Sequence, residues 1–262
     1  MTSSYLFDSK GLVTLASYVA PDTLFAFDLD GTLAPIGSED SAVRVSEPVR
    51  TTLERLVKLA KVAVFTGRTR VDALAILGLE PHLLIGNHGA EWPPHENGRN
   101  WQFVGRCLKW RDQLGSVLFY AQGVVIEFKG ESISLHYPKA NDPGKALSLI
   151  NAAIDNLVPS PRRIDGNYVV NLLPTEALTK GEALMATLDK FGTKRAIFFG
   201  NDAMDDEVFQ LEHADVFGIH IGEDQTAASF HLNNQSEILG LLNSMVGVLE
   251  MAHEQETSIS NG

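Results

Sequence analysis

Apolar residues along this chain gather in short runs and in stripes, and their spacing alternates between strand and helix. The first strong run is Leu24-Phe25-Ala26-Phe27, four consecutive apolar residues of buried-strand length. Before it, residues 1–22 are polar apart from one amphipathic stretch from Gly11 to Ala20. After it, Ser46 and Pro48 mark a helix start. Val49, Leu53, Leu56, Val57 and Ala60 then recur at helical spacing and make one buried stripe. Val62-Ala63-Val64-Phe65 predicts a second strand, followed by a short helix and a third strand at Leu83-Leu84-Ile85. Strands that alternate with helices imply a parallel sheet covered on both faces.

Between Gly98 and Leu172 the rhythm changes to helix, hairpin, helix, hairpin. Residues 124–128 pair with 133–137 around Gly130, and 162–165 with 168–172 around Gly166-Asn167, a turn-forming dipeptide. From Thr179 the strand–helix rhythm returns, with strands at 196–199 and near 216–221 and a last helix from Ser236. The tail beyond His253 is expected to fray. The predicted fold is therefore α/β, a doubly wound, mostly parallel Rossmann-like core (1–97 and 173–262) interrupted by an inserted α+β cap domain (98–172).

Composition narrows the partners more than the fold. The 262 residues are 44% hydrophobic and 21% charged, ordinary for a globular protein. A formal net charge of -12 repels phosphate backbones and anionic lipid, which argues against nucleic acid and membrane as partners. A phosphorylated small molecule would need a metal or a few placed cations to offset that charge. Cys107 is the single cysteine, so no internal disulfide or thiolate metal cluster forms, and a buried apolar role is expected for it. No apolar run reaches membrane-spanning length and no basic-then-apolar leader opens the chain, so a cytoplasmic monomer is the expectation.

The chemistry concentrates at the carboxyl ends of the predicted core strands, where ligands of open α/β sheets bind. Phe27-Asp28-Leu29-Asp30-Gly31-Thr32-Leu33 ends the first strand with two carboxylates at i and i+2, which project to one side of extended backbone. One can attack phosphorus while the other protonates the leaving oxygen and later deprotonates water. A bare D-x-D is usually an acidic turn; the apolar run before this one and the Gly-Thr after it argue for a site. Thr66-Gly67-Arg68 ends the second strand with a hydroxyl and backbone N–H groups at a helix start, which favour phosphate. Lys180 opens a helix where acids are normally preferred, and so suggests an anionic partner. Asn201-Asp202-Ala203-Met204-Asp205 follows another apolar strand with hard oxygen donors suited to Mg²⁺.

These four segments, in this order, resemble the four motifs of the haloacid dehalogenase superfamily of phosphohydrolases. The resemblance implies Asp28 as nucleophile, Asp30 as acid/base, and Thr66 and Lys180 as holders of the transferring phosphoryl group. It also implies Mg²⁺ held by Asp28, Asp30, Asn201, Asp202 and Asp205. Within that superfamily the chain is more closely similar to the trehalose-6-phosphate phosphatases. The similarity lies in Asn87-His88-Gly89-Ala90-Glu91, in Val125-Ile126-Glu127-Phe128-Lys129-Gly130, and in Leu135-His136-Tyr137. It implies sugar and phosphate contacts from Gly67, Arg68, Asn87, His88, Glu127, Lys129, His136 and Asn171, and a sugar phosphate as partner. Alternation along the first hairpin agrees, setting Glu127, Lys129, Ser134 and His136 opposite an apolar face of Val124, Ile126, Phe128, Ile133, Leu135 and Tyr137.

Three positions depart from the family pattern. Asn201 stands where an aspartate is usual, Pro138-Lys139 follows His136-Tyr137 where an arginine is usual, and Asn171 replaces a cap glutamate. The expected reaction is hydrolysis of trehalose 6-phosphate. The alternatives are a phosphatase for sucrose phosphate or a glycosyl-phosphoglycerate, and a catalytically weak sugar-phosphate-binding protein.

Overall fold

The computed structural model describes residues 3–37, 43–92, 99–212 and 215–260. In chain order the elements are β1 (Ser4–Tyr5), α1 (Ser9–Tyr18), β2 (Leu24–Asp28), α2 (Glu47–Leu59), β3 (Lys61–Phe65), α3 (Arg70–Leu77) and β4 (Leu83–Ile85). There follow α4 (Trp101–Leu118), β5 (Val125–Phe128), β6 (Ile133–His136), α5 (Pro143–Ile154), β7 (Arg162–Gly166) and β8 (Val169–Leu173). The chain ends with α6 (Lys180–Phe191), β9 (Arg195–Gly200), α7 (Asp206–Phe209), β10 (Asp215–Ile221), β11 (Phe230–Leu232) and α8 (Ile238–Ser260).

These elements form two compact units, Met1–Gly86 with Thr179–Gly262, and Asn87–Leu178. Of the expected boundaries, 97/98 lies outside the described residues, and 172/173 falls before the observed change at Leu178. The reason is local hydrogen bonding: the Arg162 guanidinium donates to the carbonyls of Ala177 and Leu178, which ties that connection to the second unit. A change of secondary-structure rhythm does not reveal such a tie.

The first unit is built on a seven-stranded parallel sheet in the order β1-β11-β10-β9-β2-β3-β4. Its doubly wound parallel character follows the pattern reading. Strand β2 is buried along its whole length because both faces are covered. Phe25 and Phe27 point into a core made with Leu15 of α1, Val49, Leu53 and Leu56 of α2, Ile76 of α3 and Leu241, Leu242 and Met245 of α8. Phe27 stacks on Phe199 of β9 with centroids 4.7 Å apart. Ser46 is the N-cap of α2, as its position before Pro48 predicts. Strands β1 and β11 extend one edge of the sheet; at two and three residues they are too short to show a period in sequence. The expected fraying after His253 does not occur in the backbone, since α8 continues to Ser260 through the helix formers Glu254, Gln255 and Glu256.

The second unit is a four-stranded antiparallel sheet, β5-β6-β8-β7, with its own apolar core. Ile133 and Leu135 of β6 and Val170 and Leu172 of β8 pack with Cys107, Trp110 and Leu114 of α4 and Ile150 of α5. The first hairpin has the expected partners, Ile126 facing Leu135 and Phe128 facing Ile133. The second is shifted by one residue from the predicted turn. Gly166 pairs with Val169, so Asn167-Tyr168 forms the turn and Tyr168 takes a φ of 53°. No helix among the described residues is long and apolar enough to cross a membrane.

Candidate active site

Register in the parallel sheet assembles the site. Asp28 is the last residue of β2; it faces Phe65 on β3, and its neighbour Phe27 faces Phe199 on β9. Thr66 and Asn201 are therefore the first residues past the ends of the two adjoining strands. Alternation along β2 turns Asp28 away from the face that carries Phe25 and Phe27. Lys180, the first residue of α6, reaches it there: Nζ lies 2.9 Å from Asp28 Oδ1 and 2.6 Å from Asp205 Oδ1. The start of α6 is fixed by Thr179, whose hydroxyl accepts from the Glu182 amide and donates to the Glu207 carboxylate, while Glu182 caps the Thr179 amide in return.

This triad is buried, with side-chain exposures of 5% for Lys180, 8% for Asp28 and 0% for Asp205. Burial opposes the Lys180 ammonium, but Asp205 and Asp28 outweigh it and hold its pKa above the usual lysine value. Burial likewise pushes the Asp28 and Asp205 carboxyls up against the pull of Lys180, because one ammonium serves two carboxylates.

Asp205 has both oxygens engaged. Oδ1 takes Lys180, and Oδ2 accepts from the amides of Asn201 (2.8 Å) and Asp202 (3.1 Å). These bonds shape the loop. The same packing requires glycine before the loop, since a Cβ on Gly200 would lie 2.3 Å from Asp205 Cγ. Asn201 sits against the turn after β2: Gly31 has a φ of 88°, and a side chain there would strike Asn201 Nδ2. The Thr32 hydroxyl lies 3.5 Å from Asn201 Oδ1. Asp202 is exposed and accepts from the Met204 amide.

Asp30 is gripped by Arg68, with Nε 2.9 and 2.8 Å from its two oxygens and the terminal nitrogen 2.7 Å from one of them. The sequence places Arg68 beside a phosphate; the structure also makes it the partner of the second aspartate. The Thr66 hydroxyl accepts from the Arg68 amide at 3.1 Å, and Gly67 lies between them. Among the described residues no three His, Cys, Asp or Glu side chains gather into a metal cluster by themselves. The oxygens near the strand ends, from Asp28, Asn201 and Asp202, are nevertheless hard donors of the type Mg²⁺ takes.

The polar residues of the second unit fall on one face of its sheet. Glu127 faces Ser134, and Ser134 faces Asn171. His136 Nε2 is 2.8 Å from Glu127 Oε2, and Lys129 Nζ is 3.7 Å from the same oxygen. The His136 hydrogen bond, with help from Lys129, holds the Glu127 carboxyl below the usual range. Asn171 is buried, accepts from the Ser134 hydroxyl at 2.6 Å and reaches the Ile164 carbonyl at 3.5 Å. Its amide is thus bonded on both ends within the sheet. Asn87, also expected at the ligand, is buried in a left-handed backbone (φ 48°). It accepts from the Ser132 hydroxyl and donates to the Lys129 carbonyl, so it braces the hairpin. His88 follows it at φ 53°. Sequence reasoning missed the Ser132 and Ser134 contacts, although hairpin register points to Ser134 as the neighbour of Glu127.

Fold and site together define a phosphohydrolase of the haloacid dehalogenase type. Two aspartates end the central parallel strand, and a threonine, a lysine and an acidic loop stand at the neighbouring strand and helix ends. Comparison with known proteins agrees. The trehalose-phosphatase family model matches residues 26–236. Trehalose-6-phosphate phosphatase of Escherichia coli is 28% identical over 240 residues, covering 88% of this chain and 90% of that one. Other curated relatives are longer, the chain spanning 18% of one and 67% of another. The crystal structure of a trehalose-6-phosphate phosphatase related protein matches with a TM-score of 0.71 at 22% identity, covering 89% of this chain and 100% of that one. A haloacid dehalogenase-like hydrolase from Bacteroides thetaiotaomicron matches at 0.63 and 16%, covering 85% and 99%. At these identities the structures speak for the fold alone. The chain belongs to the trehalose-phosphatase family of phosphoric monoester hydrolases.

Proposed function

We propose that the chain hydrolyses trehalose 6-phosphate to trehalose and phosphate through an aspartyl-phosphate on Asp28, with Mg²⁺ as cofactor. The observation that carries this reading is the buried Asp28 carboxylate at a strand end, with Lys180 on one oxygen and Asp30 two residues on. An Asp28 oxygen attacks phosphorus, and the bond from phosphorus to the sugar oxygen breaks. Asp30 gives that oxygen a proton. Water then attacks the phosphorus of the acyl phosphate, Asp30 takes the proton back, and phosphate leaves with Asp28 restored. Lys180 and Thr66 offset the charge on the equatorial oxygens throughout. Bound magnesium, with Asp28, Asn201, Asp202 and the Asp30 carbonyl as holders, supplies positive charge against the phosphoryl group. Because Arg68 grips Asp30 in this state, the acid/base role requires that contact to loosen, and the freed guanidinium suits the phosphate. Glu127, Lys129 and His136 take part in selecting the sugar.

The test is phosphate release from trehalose 6-phosphate in millimolar magnesium, with and without chelator, beside sucrose phosphate and a glycosyl-phosphoglycerate. Fastest release from the trehalose ester, abolished by chelator, is the expected result. Faster turnover of another ester would move the substrate and keep the reaction. The altered positions Pro138 and Asn171 are what favour that second reading.

A further inference from the structure

The parallel unit holds a cavity that the proposed reaction does not use. Its volume is about 310 Å³, within the range of small-molecule sites, and it lies where α2 and α8 begin, beside the turn after β2. Thr52 of α2 bonds Asn243 of α8, and further along Arg55 bonds Glu250, so the two helices run side by side in one direction. Both therefore present the positive end of the helix dipole at the cavity. Ser46, the N-cap of α2, makes no capping bond with its hydroxyl. Leu33 and Pro35 of the turn, Val49 of α2, and Ile238 and Leu239 of α8 form the apolar wall. Arg44 is the charged member of the lining; its guanidinium donates to the Val43 carbonyl and makes no ion pair among the described residues. The acids of the adjoining helical turns stand apart from it. Glu47 is exposed and outside the lining, and Glu237 accepts from the Tyr5 hydroxyl and the Asn233 amide.

Leu33 and Pro35 flank Ala34, whose carbonyl accepts from the Gly31 amide at 2.7 Å and which bridges back to Asp30. Gln235, also in the lining, donates its side-chain amide to the Thr32 carbonyl at 3.2 Å. One turn thus joins the cavity wall to the second aspartate. We propose that this cavity is a second ligand site, for a small molecule with an apolar body and a single anionic group, and that filling it lowers turnover. The apolar wall takes the body, and Arg44 with the two helix starts takes the anion. In a chain of net charge -12, a lining with a cation and, among the described residues, no carboxylate selects an anion. A ligand packed against Leu33 and Pro35 favours the arrangement of the turn seen here, in which Arg68 grips Asp30. That coupling, unlike the binding, rests on the reading above, in which Asp30 must leave Arg68 to act.

The test titrates the full chain with the fluorescent probe anilinonaphthalene sulfonate, an aromatic body with a single sulfonate. The probe should bind with a stoichiometry of one per chain. Octanoate should displace it, and octanol, which keeps the alkyl body without the charge, should do so about tenfold more weakly. Arg44→Gln should weaken the probe by about tenfold, roughly the worth of one charge-assisted hydrogen bond. Saturating inorganic phosphate should leave the probe in place. Absence of saturable binding, equal displacement by octanoate and octanol, unchanged affinity in Arg44→Gln, or displacement by inorganic phosphate overturns the site. With trehalose 6-phosphate as substrate, saturating octanoate should lower kcat by at least about twofold and leave KM unchanged, and Arg44→Gln should blunt the effect. Bound octanoate with an unchanged kcat overturns the coupling and leaves the site. A chain that binds the probe as stated but releases no phosphate from any sugar phosphate overturns the reaction above, and the coupling with it, while the site stands.

Discussion

In the parallel unit the polar side chains at the strand ends are charged and buried: Asp28, Lys180 and Asp205 are each less than a tenth exposed. In the antiparallel unit the corresponding groups are graded. Ser134 and Asn171 are buried and bonded to each other, while Glu127 is nearly half exposed and held by His136 and Lys129. Burying charge is costly unless partners compensate, so the first arrangement tolerates little change. The second consists of neutral hydrogen bonds and a half-solvated ion pair, each worth far less. The polar face of the second sheet should therefore tolerate substitution better than the buried strand ends of the first. Of the positions that depart from the family pattern, Pro138, Lys139 and Asn171 fall in that second unit and Asn201 in the first.

Substitutions can test this contrast, beginning with the largest effect. Lys180→Met removes the ammonium that two buried carboxylates share, and about 3–5 kcal/mol of stability should be lost in denaturant unfolding, together with nearly all turnover. A loss below about 1 kcal/mol would mean that the triad relaxes into water and the contrast fails. In the second unit, Ser134→Ala leaves the Asn171 oxygen without its donor. About 1–2 kcal/mol should be lost in the same measurement, with kcat largely retained.

His136→Ala acts on the half-exposed pair and should cost less than about 1 kcal/mol. It should also let the Glu127 carboxyl titrate nearer its ordinary value, as read by NMR. The sign follows from a depressed carboxyl. Its stabilisation is complete above the unfolded pKa and is lost as pH falls through the lower folded one, so the variant should lose less on acidification than the natural chain. An unmoved Glu127 titration would show that Lys129, not His136, carries the interaction.

The smallest expected effect is an absence of reaction. Burial, with Glu131 adding and Arg106 opposing, pushes the Cys107 thiol up to about 12. The native chain should resist alkylation at pH 8 and react after unfolding. A raised thiol pKa adds stability below the unfolded value that is lost as pH climbs toward the folded one, so alkaline unfolding should expose the cysteine. Rapid native labelling would mean that the core of the second unit opens readily.

Much of the first unit was legible because its signals are local. The run Leu24-Phe25-Ala26-Phe27 gives the strand, and the aspartates follow it directly. What sequence could not give was pairing across the fold. Lys180 and Asp205 are both conspicuous in the chain, yet that they bind each other follows from where α6 begins relative to β9 and its loop. The Arg68 grip on Asp30 is of the same kind. The bonds of Asn87 to the hairpin and of Asn171 within the sheet could not be read from sequence either; a buried amide must satisfy both of its polar ends, and its partners are set by the fold. Strands β1 and β11 escaped for a different reason, being shorter than any period they could display.

The proposed reaction requires Asp28 to become phosphorylated. Rapid acid quench of the chain with labelled trehalose 6-phosphate and magnesium, followed by peptide mapping, should place the label on the peptide that contains Asp28. With Asp28→Asn the label and the turnover should both vanish while the unfolding midpoint stays within a few degrees, roughly the effect of a conservative change. Label on another residue, or phosphate release that survives Asp28→Asn, would contradict it.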